Sequence, residues 1–163
     1  MTDYRELISR LVAGRVEFII VGGAAATVHG ATRLTTDLDV VYARDPKNVD
    51  RIVESLAPLA PYLRGAPEGL PFKWEAQTIL HGLNFTLTTS LGPLDLLGEI
   101  TLGGNYEQLL PHADKLYVFS NECLCLGLAR LIEVKRAAAR PKDFEAIAEL
   151  EIILKETAGD GNS

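Results

Sequence analysis

The segment from residue 18 to residue 41 constrains the fold of this chain more than any other. It opens with four consecutive apolar residues, FIIV, which predict the end of a short buried strand over 16–21. Gly22 and Gly23 end that strand, and the small residues that follow predict a helix over 24–30. A second strand is predicted over 37–42. The chain is therefore expected to fold around a unit of strand, glycine turn, helix and strand.

Two acidic residues lie on this second strand. Asp37 and Asp39 are two residues apart, so their side chains share one face of the strand. They are separated by about 7 Å, from the ~3.3 Å rise per residue, and can converge on one divalent cation. The turn at Gly22 and Gly23 lets backbone N–H groups approach a phosphate. Together these features are what nucleotidyl transfer requires. Each feature alone also fits a simpler interpretation, a structural tight turn or a solvated strand face.

The combined pattern resembles the DNA polymerase β-like nucleotidyltransferase superfamily. The glycine pair is followed by TTDLDVV and, further along, by an acid between apolar residues, Asp95 in GPLDLL. The resemblance implies an α/β (α+β) fold with a short mixed β-sheet flanked by helices. It also implies that Asp37, Asp39 and Asp95 are catalytic and hold Mg²⁺ in a two-metal site, with an NTP as substrate. From the residues alone, Asp95 can instead be a structural acceptor of backbone N–H groups near the Gly-Pro turn.

The C-terminal stretch LIEVKRAAARPKDFEAIAEL carries a second resemblance, to small bacterial nucleotidyltransferases related to the abortive-infection (type IV) toxins. The matching positions are Lys135, Arg140, Lys142 and Asp143. This resemblance implies that Lys135 and Lys142 bind the triphosphate, with Arg140 in support. An exposed basic helix face is the simpler interpretation. The chain departs from many relatives at Ala146, where they have a further Asp.

Further phosphate-binding candidates lie around the glycine turn. Gly22 and Gly23 are expected to present backbone N–H groups, and Arg33 and Thr36 to contact the phosphates. Arg33 can instead shape the turn that precedes the acids. Gly23 stands where many relatives have Ser, so this chain lacks a hydroxyl that could contact the nucleotide.

Composition sets limits on the class of protein. The 163 residues have a formal net charge of −6, which argues against broad electrostatic binding of nucleic acid. Between residues 130 and 142 there are nevertheless five basic residues against one acid.

No apolar run is long enough to span a membrane, and the N-terminus lacks the apolar core of a secretory signal. Cys123 and Cys125 are poorly spaced for a disulfide, and a zinc half-site would lack partners. We therefore expect a cytoplasmic protein without membrane partners.

The remaining elements are predicted from periodicity and turn residues. A helix is predicted over 3–13, with Thr2 as its N-cap and Gly14 at its end. Asp45-Pro46 predicts the start of another helix. Further along we expect strands at 73–80 and 83–90 in a hairpin through His81-Gly82, a strand at 94–97, a helix at 106–110, strands at 115–119 and 123–126, and two helices between 128 and 155 that break at Arg140-Pro141. The predicted organisation is an α/β core over 1–126, C-terminal helices packing on it over 127–157, and a flexible tail over 158–163.

The predicted function is Mg²⁺-dependent transfer of a nucleoside monophosphate from an NTP to an acceptor hydroxyl, with release of pyrophosphate. In the superfamily the acceptors include tRNA 3′ ends, protein hydroxyls and antibiotics, and tRNA or protein is favoured here. Because the chain has no separate acceptor-binding domain, an antitoxin-like partner or a homodimer is expected to complete the site. The alternative is a nucleotide-binding sensor or partner subunit without turnover.

Overall fold

A computed structural model of the chain describes residues 2–32 and 35–160. The described helices are α1 (Tyr4–Ala13), α2 (Gly22–Val28), α3 (Pro46–Leu56), α4 (Ala76–His81), α5 (Tyr106–Leu109), α6 (Leu128–Ala137) and α7 (Phe144–Asp160). The described strands are β1 (Phe18–Val21), β2 (Leu38–Tyr42), β3 (Tyr62–Leu63), β4 (Phe85–Thr89), β5 (Gly92–Leu97), β6 (Glu99–Ile100), β7 (Gly104–Asn105), β8 (Ala113–Val118) and β9 (Asn121–Leu126).

Seven of the described strands form one mixed sheet in the order β3-β4-β5-β2-β1-β9-β8, and β6 pairs with β7 separately. β1 runs antiparallel to β2 and parallel to β9, while β2 runs parallel to β5. The predicted α/β fold, a short mixed sheet flanked by helices, is confirmed.

The central position of β1 explains its sequence. Neighbouring strands lie on both of its edges, and all four of its residues are buried. Ile20 and Leu38 line a cavity together with residues of α1 and α2, so these helices cover one face of the sheet. Since side chains alternate along a strand, Asp39 points to the opposite face from Leu38. The helices therefore bury one side of β2 and leave the acid on the other.

The first helix is capped differently from the prediction. Asp3 is its N-cap, and its side chain accepts a hydrogen bond from the Glu6 N–H at 3.0 Å. The Thr2 hydroxyl instead donates to the carbonyl of Thr36, next to the acids. Gly14 ends the helix as predicted. Pro46 likewise opens α3 as predicted, with Asp45 as its cap.

The predicted strand over 73–80 is wrong, because this segment contains α4 (Ala76–His81). Its apolar residues fit a helical period as well as an alternating one, and α4 packs against α3. The free edge of β4 is taken by β3, with Tyr62 opposite Thr88. β4 therefore forms a hairpin with β5, and Ser90-Leu91 connect the two strands. The predicted hairpin through His81-Gly82 does not form, because His81 is the last residue of α4.

The C-terminal segment forms two helices that break where the sequence predicts. α6 contacts α2 and α7, and a 3₁₀ turn at Pro141–Asp143 separates it from α7. Within residues 2–32 and 35–160, no helix is both long and apolar enough to cross a membrane.

The two cysteines of β9 are buried and free. Burial raises the pKa of Cys123 to about 11 and that of Cys125 to about 12. Both thiols are therefore protonated at neutral pH.

Candidate active site

Three predicted acids meet at the β2–β5 pair. Asp39 and Asp95 are direct partners in the parallel register, so their side chains leave the same face of the sheet. Asp37 lies just before β2 and joins them. One carboxylate oxygen from each residue lies within 4.8 Å of the others. Oxygens bound to one octahedral Mg²⁺ at ~2.1 Å are about 3.0 Å apart when adjacent and about 4.2 Å apart when opposite. The three carboxylates are therefore close enough to converge on one cation, but the set must contract by up to about 2 Å to do so.

The environment of Asp39 fits it to bind a cation. Burial, followed by the hydrogen bond and charge of Asp95 and the charge of Asp37, raises the pKa of Asp39 to about 8. A hydrogen bond from the Gly23 N–H acts in the opposite direction. Among the described residues, the buried Oδ1 atom of Asp39 has no hydrogen-bond partner. Three carboxylates, one with an unpaired buried oxygen, are the hard oxygen donors that Mg²⁺ prefers.

The glycine turn lies against the same carboxylate. Gly22 has φ of +62°, a conformation that side chains disfavour. A Cβ atom at this position would lie 2.3 Å from Oδ2 of Asp39. At Gly23, a Cβ atom would lie 3.0 Å from Oγ1 of Thr35. A side chain at position 23 would therefore require Thr35 to shift by a few tenths of an ångström.

The loop that leads into β2 is held from the N-terminus. The Tyr4 hydroxyl donates to the carbonyl of Thr35, as the Thr2 hydroxyl does to that of Thr36. The exposed Thr36 places its own hydroxyl 3.0 Å from Oδ1 of Asp37 as a hydrogen-bond donor. Thr36 thus contacts the acids, and its predicted phosphate contact stays a prediction. Arg33, the other predicted phosphate ligand of this loop, lies outside the described residues.

Arg64 is a site residue that sequence reasoning missed. It directly follows β3, and Nη2 of its guanidinium lies 2.8 Å from Oδ1 of Asp95. Its Nη1 atom lies 3.4 Å from Oδ2 of Asp37. No motif surrounds Arg64 in the sequence, and the strand that positions it is only two residues long. The one available signal was an isolated arginine within a loop rich in proline and glycine.

The predicted triphosphate ligands of the C-terminal segment are separate from this cluster. Arg140 is exposed and pairs with Asp143 at 3.6 Å, Lys142 is exposed, and the half-buried Lys135 lies on α6. Across the described part of the chain, no hydrogen bond or ion pair joins these three residues to the carboxylates. Their roles stay predictions.

An apolar cavity of 360 Å³ lies on the other face of the sheet, between α1, α2 and the β8–β9 turn. Ile8, Ala24, Leu38 and Phe119 are among its lining residues, and the three carboxylates are not. Asp39 and Asp95 thus lie on the opposite face of the sheet from this cavity.

Solved structures with this fold include proteins of low sequence identity. The lincosamide antibiotic adenylyltransferase LnuA, solved with lincomycin bound, is 15% identical, with a TM-score of 0.61 over 93% of this chain and 98% of its own. ANT(2")-Ia, solved in complex with adenylyl-2"-tobramycin, is 13% identical, with a TM-score of 0.53 over 98% of this chain and 99% of its own. TM1012 of Thermotoga maritima, provisionally described as a nucleotidyltransferase, is 12% identical, with a TM-score of 0.55 over 89% of this chain and 88% of its own.

These comparisons concern the fold. No protein-family model matches the chain, and no curated protein matches it. The fold implied by the predicted resemblance to a nucleotidyltransferase-like superfamily is confirmed, because these solved structures share it. The narrower resemblance to the abortive-infection enzymes stays a prediction.

Proposed function

We propose that this chain, which has the nucleotidyltransferase fold, transfers a nucleoside monophosphate from an NTP to an acceptor hydroxyl with the help of Mg²⁺. The observation that carries the proposal is the meeting of Asp37, Asp39 and Asp95, with Oδ1 of Asp39 buried and unpaired among the described residues. A fold hosts many functions, so this site carries the proposal and the fold adds to it.

Each carboxylate has a role in the proposed reaction. Asp37 and Asp39 would hold one cation, and Asp95 would hold a second and help to activate the acceptor hydroxyl. Bound Mg²⁺ would supply positive charge to the phosphates and lower the pKa of that hydroxyl. The acceptor oxygen forms a bond to the α-phosphorus as the bond between that phosphorus and the β-phosphate oxygen breaks. Pyrophosphate leaves with the bonding electrons, and the hydroxyl proton passes to a carboxylate or to solvent.

The triphosphate is proposed to lie between the glycine turn and the C-terminal helices. The glycine turn adjoins Asp39, whose carboxylate accepts a hydrogen bond from the Gly23 N–H, and Lys135 lies on α6, a helix that contacts α2. Lys142 and Arg140 add positive charge on the following turn. These cations would offset the negative charge that the carboxylates leave on the site.

The acceptor class is the least constrained part of the proposal. The predicted acceptors are tRNA or protein, with an antitoxin-like partner or a second copy of the chain completing the site. LnuA and ANT(2")-Ia, which this chain matches over nearly their whole lengths, were solved with an antibiotic or an adenylylated antibiotic bound. A small hydroxylated molecule is therefore a third acceptor class for the experiment to distinguish.

The alternative function is that of a nucleotide-binding sensor or partner subunit without turnover. A sensor needs no third carboxylate, whereas this chain places Asp95 directly beside Asp39. We therefore favour the enzyme.

The test uses each α-³²P-labelled NTP with Mg²⁺ in a cell extract, comparing the wild type with Asp39→Asn. The expected result is label transfer by the wild type alone. Sensitivity of the labelled product to ribonuclease, to protease or to neither identifies RNA, protein or a small molecule as the acceptor. Mg²⁺-dependent NTP binding without transfer would support the sensor instead, and the absence of both would contradict both proposals.

A further inference from the structure

The guanidinium of Arg64 contacts two of the three carboxylates at once. Its Nη2 atom lies 2.8 Å from Asp95 and its Nη1 atom 3.4 Å from Asp37. The exposed fractions of the Arg64, Asp37 and Asp95 side chains are 30%, 31% and 18%, so solvent screens these ion pairs only in part. One positive charge thus lies directly on the proposed cation site.

The position of this guanidinium is fixed by its surroundings. The Arg64 N–H donates to the carbonyl of Thr86 at 2.9 Å, which extends the β3–β4 pairing by one residue. Its Nη2 atom also donates to the carbonyl of Leu87 at 2.7 Å. Its contact with the acids is therefore set by the sheet and is not a chance meeting of two surface side chains.

The guanidinium of Arg64 leaves a buried hydrogen-bond donor, its Nε atom, without a partner among the described residues. An arginine that fulfils a purely structural role normally satisfies its buried donors. The guanidinium is thus held by two carboxylates and one carbonyl, while its buried Nε has no partner among the described residues.

We propose that Arg64 is the resident counter-cation of the carboxylate cluster, and that a divalent cation binds there only by displacing it. This inference rests on the proposed function, since it takes the carboxylates as cation ligands. A guanidinium and a divalent cation repel each other at this distance and require the same oxygens. Arg64 therefore lowers the affinity for the cation, and it stabilises the cluster when no divalent cation is bound. A guanidinium released from the acids is then free to contact an anionic substrate.

The test measures Mn²⁺ binding without nucleotide, by electron paramagnetic resonance, in the wild type, Arg64→Met and Arg64→Lys. We expect Arg64→Met to bind Mn²⁺ about tenfold more tightly, because no cation must be displaced. Arg64→Lys keeps the charge but loses the planar fork that contacts two carboxylates, so its Mn²⁺ affinity is expected to lie between those of the wild type and Arg64→Met. In chelator, Arg64→Met is expected to melt at a lower temperature than the wild type, and saturating Mn²⁺ should remove the difference. Weaker or unchanged Mn²⁺ binding by Arg64→Met would overturn the inference.

Arg44→Met is the matched control. Arg44 is also half-buried and donates to the carbonyl of Leu80 at 2.8 Å and to the Tyr42 hydroxyl at 2.6 Å, and none of its hydrogen bonds within the described residues goes to a carboxylate. This variant should lower the melting temperature equally with and without Mn²⁺, at unchanged Mn²⁺ affinity. If the wild type and every Arg64 variant fail to bind Mn²⁺, the proposed cation site itself is wrong, and this outcome is distinct from a reversed effect at Arg64.

A second measurement uses the wild-type chain and does not depend on the folding of a variant. The arginine-selective reagent phenylglyoxal modifies a guanidinium released from its ion pairs faster than one that is held in them. We expect Mn²⁺ to accelerate modification of Arg64, measured by peptide mass mapping, and to leave modification of Arg44 unchanged. Modification of Arg64 that is slowed by Mn²⁺, or unaffected by it, would contradict displacement.

Discussion

Asp39 and Asp95 lie directly opposite each other on the parallel strands β2 and β5, and a carboxylate oxygen of one lies within 4.8 Å of a carboxylate oxygen of the other. Burial raises the pKa of Asp39 to about 8, and the neighbouring carboxyl groups of Asp95 and Asp37 add to the shift. Ionisation of Asp39 is therefore costly, although Arg64 already pairs with Asp95. A cation that contacts Asp39 would offset this cost, as expected of a metal site.

The first prediction concerns stability against pH without divalent cations. The pKa of Asp39 is about 8 in the folded chain and ~3.9 in the unfolded chain. Between these values the folded state binds more protons, so the free energy of unfolding falls as the pH rises from about 4 to about 8. Urea denaturation in chelator measures this decline, and Asp39→Asn should reduce it. If the free energy of unfolding depended on pH identically in the two proteins, a raised pKa of Asp39 in the folded chain would be contradicted.

The second prediction concerns Gly22→Ala. The new Cβ atom would lie 2.3 Å from the Asp39 carboxylate, at a backbone φ of +62°. We expect a loss of about 2 kcal/mol or more in the free energy of unfolding, from conformational strain and the clash together, and a large loss of Mn²⁺ affinity.

Gly69→Ala is the control for this variant, because Gly69 has φ of +90° and a Cβ atom there would meet no other atom within 4 Å. Gly69→Ala introduces the backbone strain without the clash. It should lower the free energy of unfolding by about 1 kcal/mol and leave the Mn²⁺ affinity unchanged. Equal effects of the two substitutions on Mn²⁺ binding would show that the glycine turn does not support the site.

The third prediction concerns Tyr4→Phe. The Tyr4 hydroxyl donates to the Thr35 carbonyl and so holds the loop that carries Asp37. Loss of a hydrogen bond of ~0.5–1.5 kcal/mol should weaken Mn²⁺ binding about three- to tenfold. Tyr117→Phe is the control, since that hydroxyl is exposed on β8 and contacts Glu122 at 3.4 Å. A Tyr4→Phe protein with wild-type Mn²⁺ affinity would mean that this contact supports the fold alone.

The fourth prediction concerns the C-terminal basic residues. If Lys135 contacts the triphosphate, Lys135→Met should raise the KM for NTP about tenfold or more, the ~1.4 kcal/mol or more expected of a charge-assisted contact. Mn²⁺ affinity should not change, because no contact joins Lys135 to the carboxylates in the described residues. Lys155→Met on α7 is the control and should leave both quantities unchanged. An unchanged KM for Lys135→Met would remove Lys135 from the proposed site.

The parts of the fold that local sequence determines were predictable. The apolar run before Gly22 predicted β1, and the Asp45-Pro46 cap predicted the start of α3. Asp37, Asp39 and Asp95 could be singled out as candidate cation ligands because their spacing and apolar neighbours follow a recognisable pattern. Their juxtaposition depends on the register of Asp39 with Asp95, which no local feature of either strand specifies.

The parts that depend on long-range pairing were not predictable from local sequence. The short strand β3 pairs with β4 through only two residues, so no period marks it. Its pairing excludes segment 73–80 from the sheet and carries Arg64 to the acids. Helix α4 was predicted as a strand because six residues are too few to distinguish a helical period from an alternating one.

The most direct test of nucleotidyl transfer by this chain compares NTP labelled at the α-phosphate with NTP labelled at the γ-phosphate, using the acceptor fraction identified in the extract. Nucleotidyl transfer predicts that label from the α-position reaches the acceptor, that label from the γ-position appears in pyrophosphate, and that Asp39→Asn and Asp95→Asn abolish both. Transfer of the γ-label to the acceptor, or α-label transfer that survives both substitutions, would contradict nucleotidyl transfer at these carboxylates.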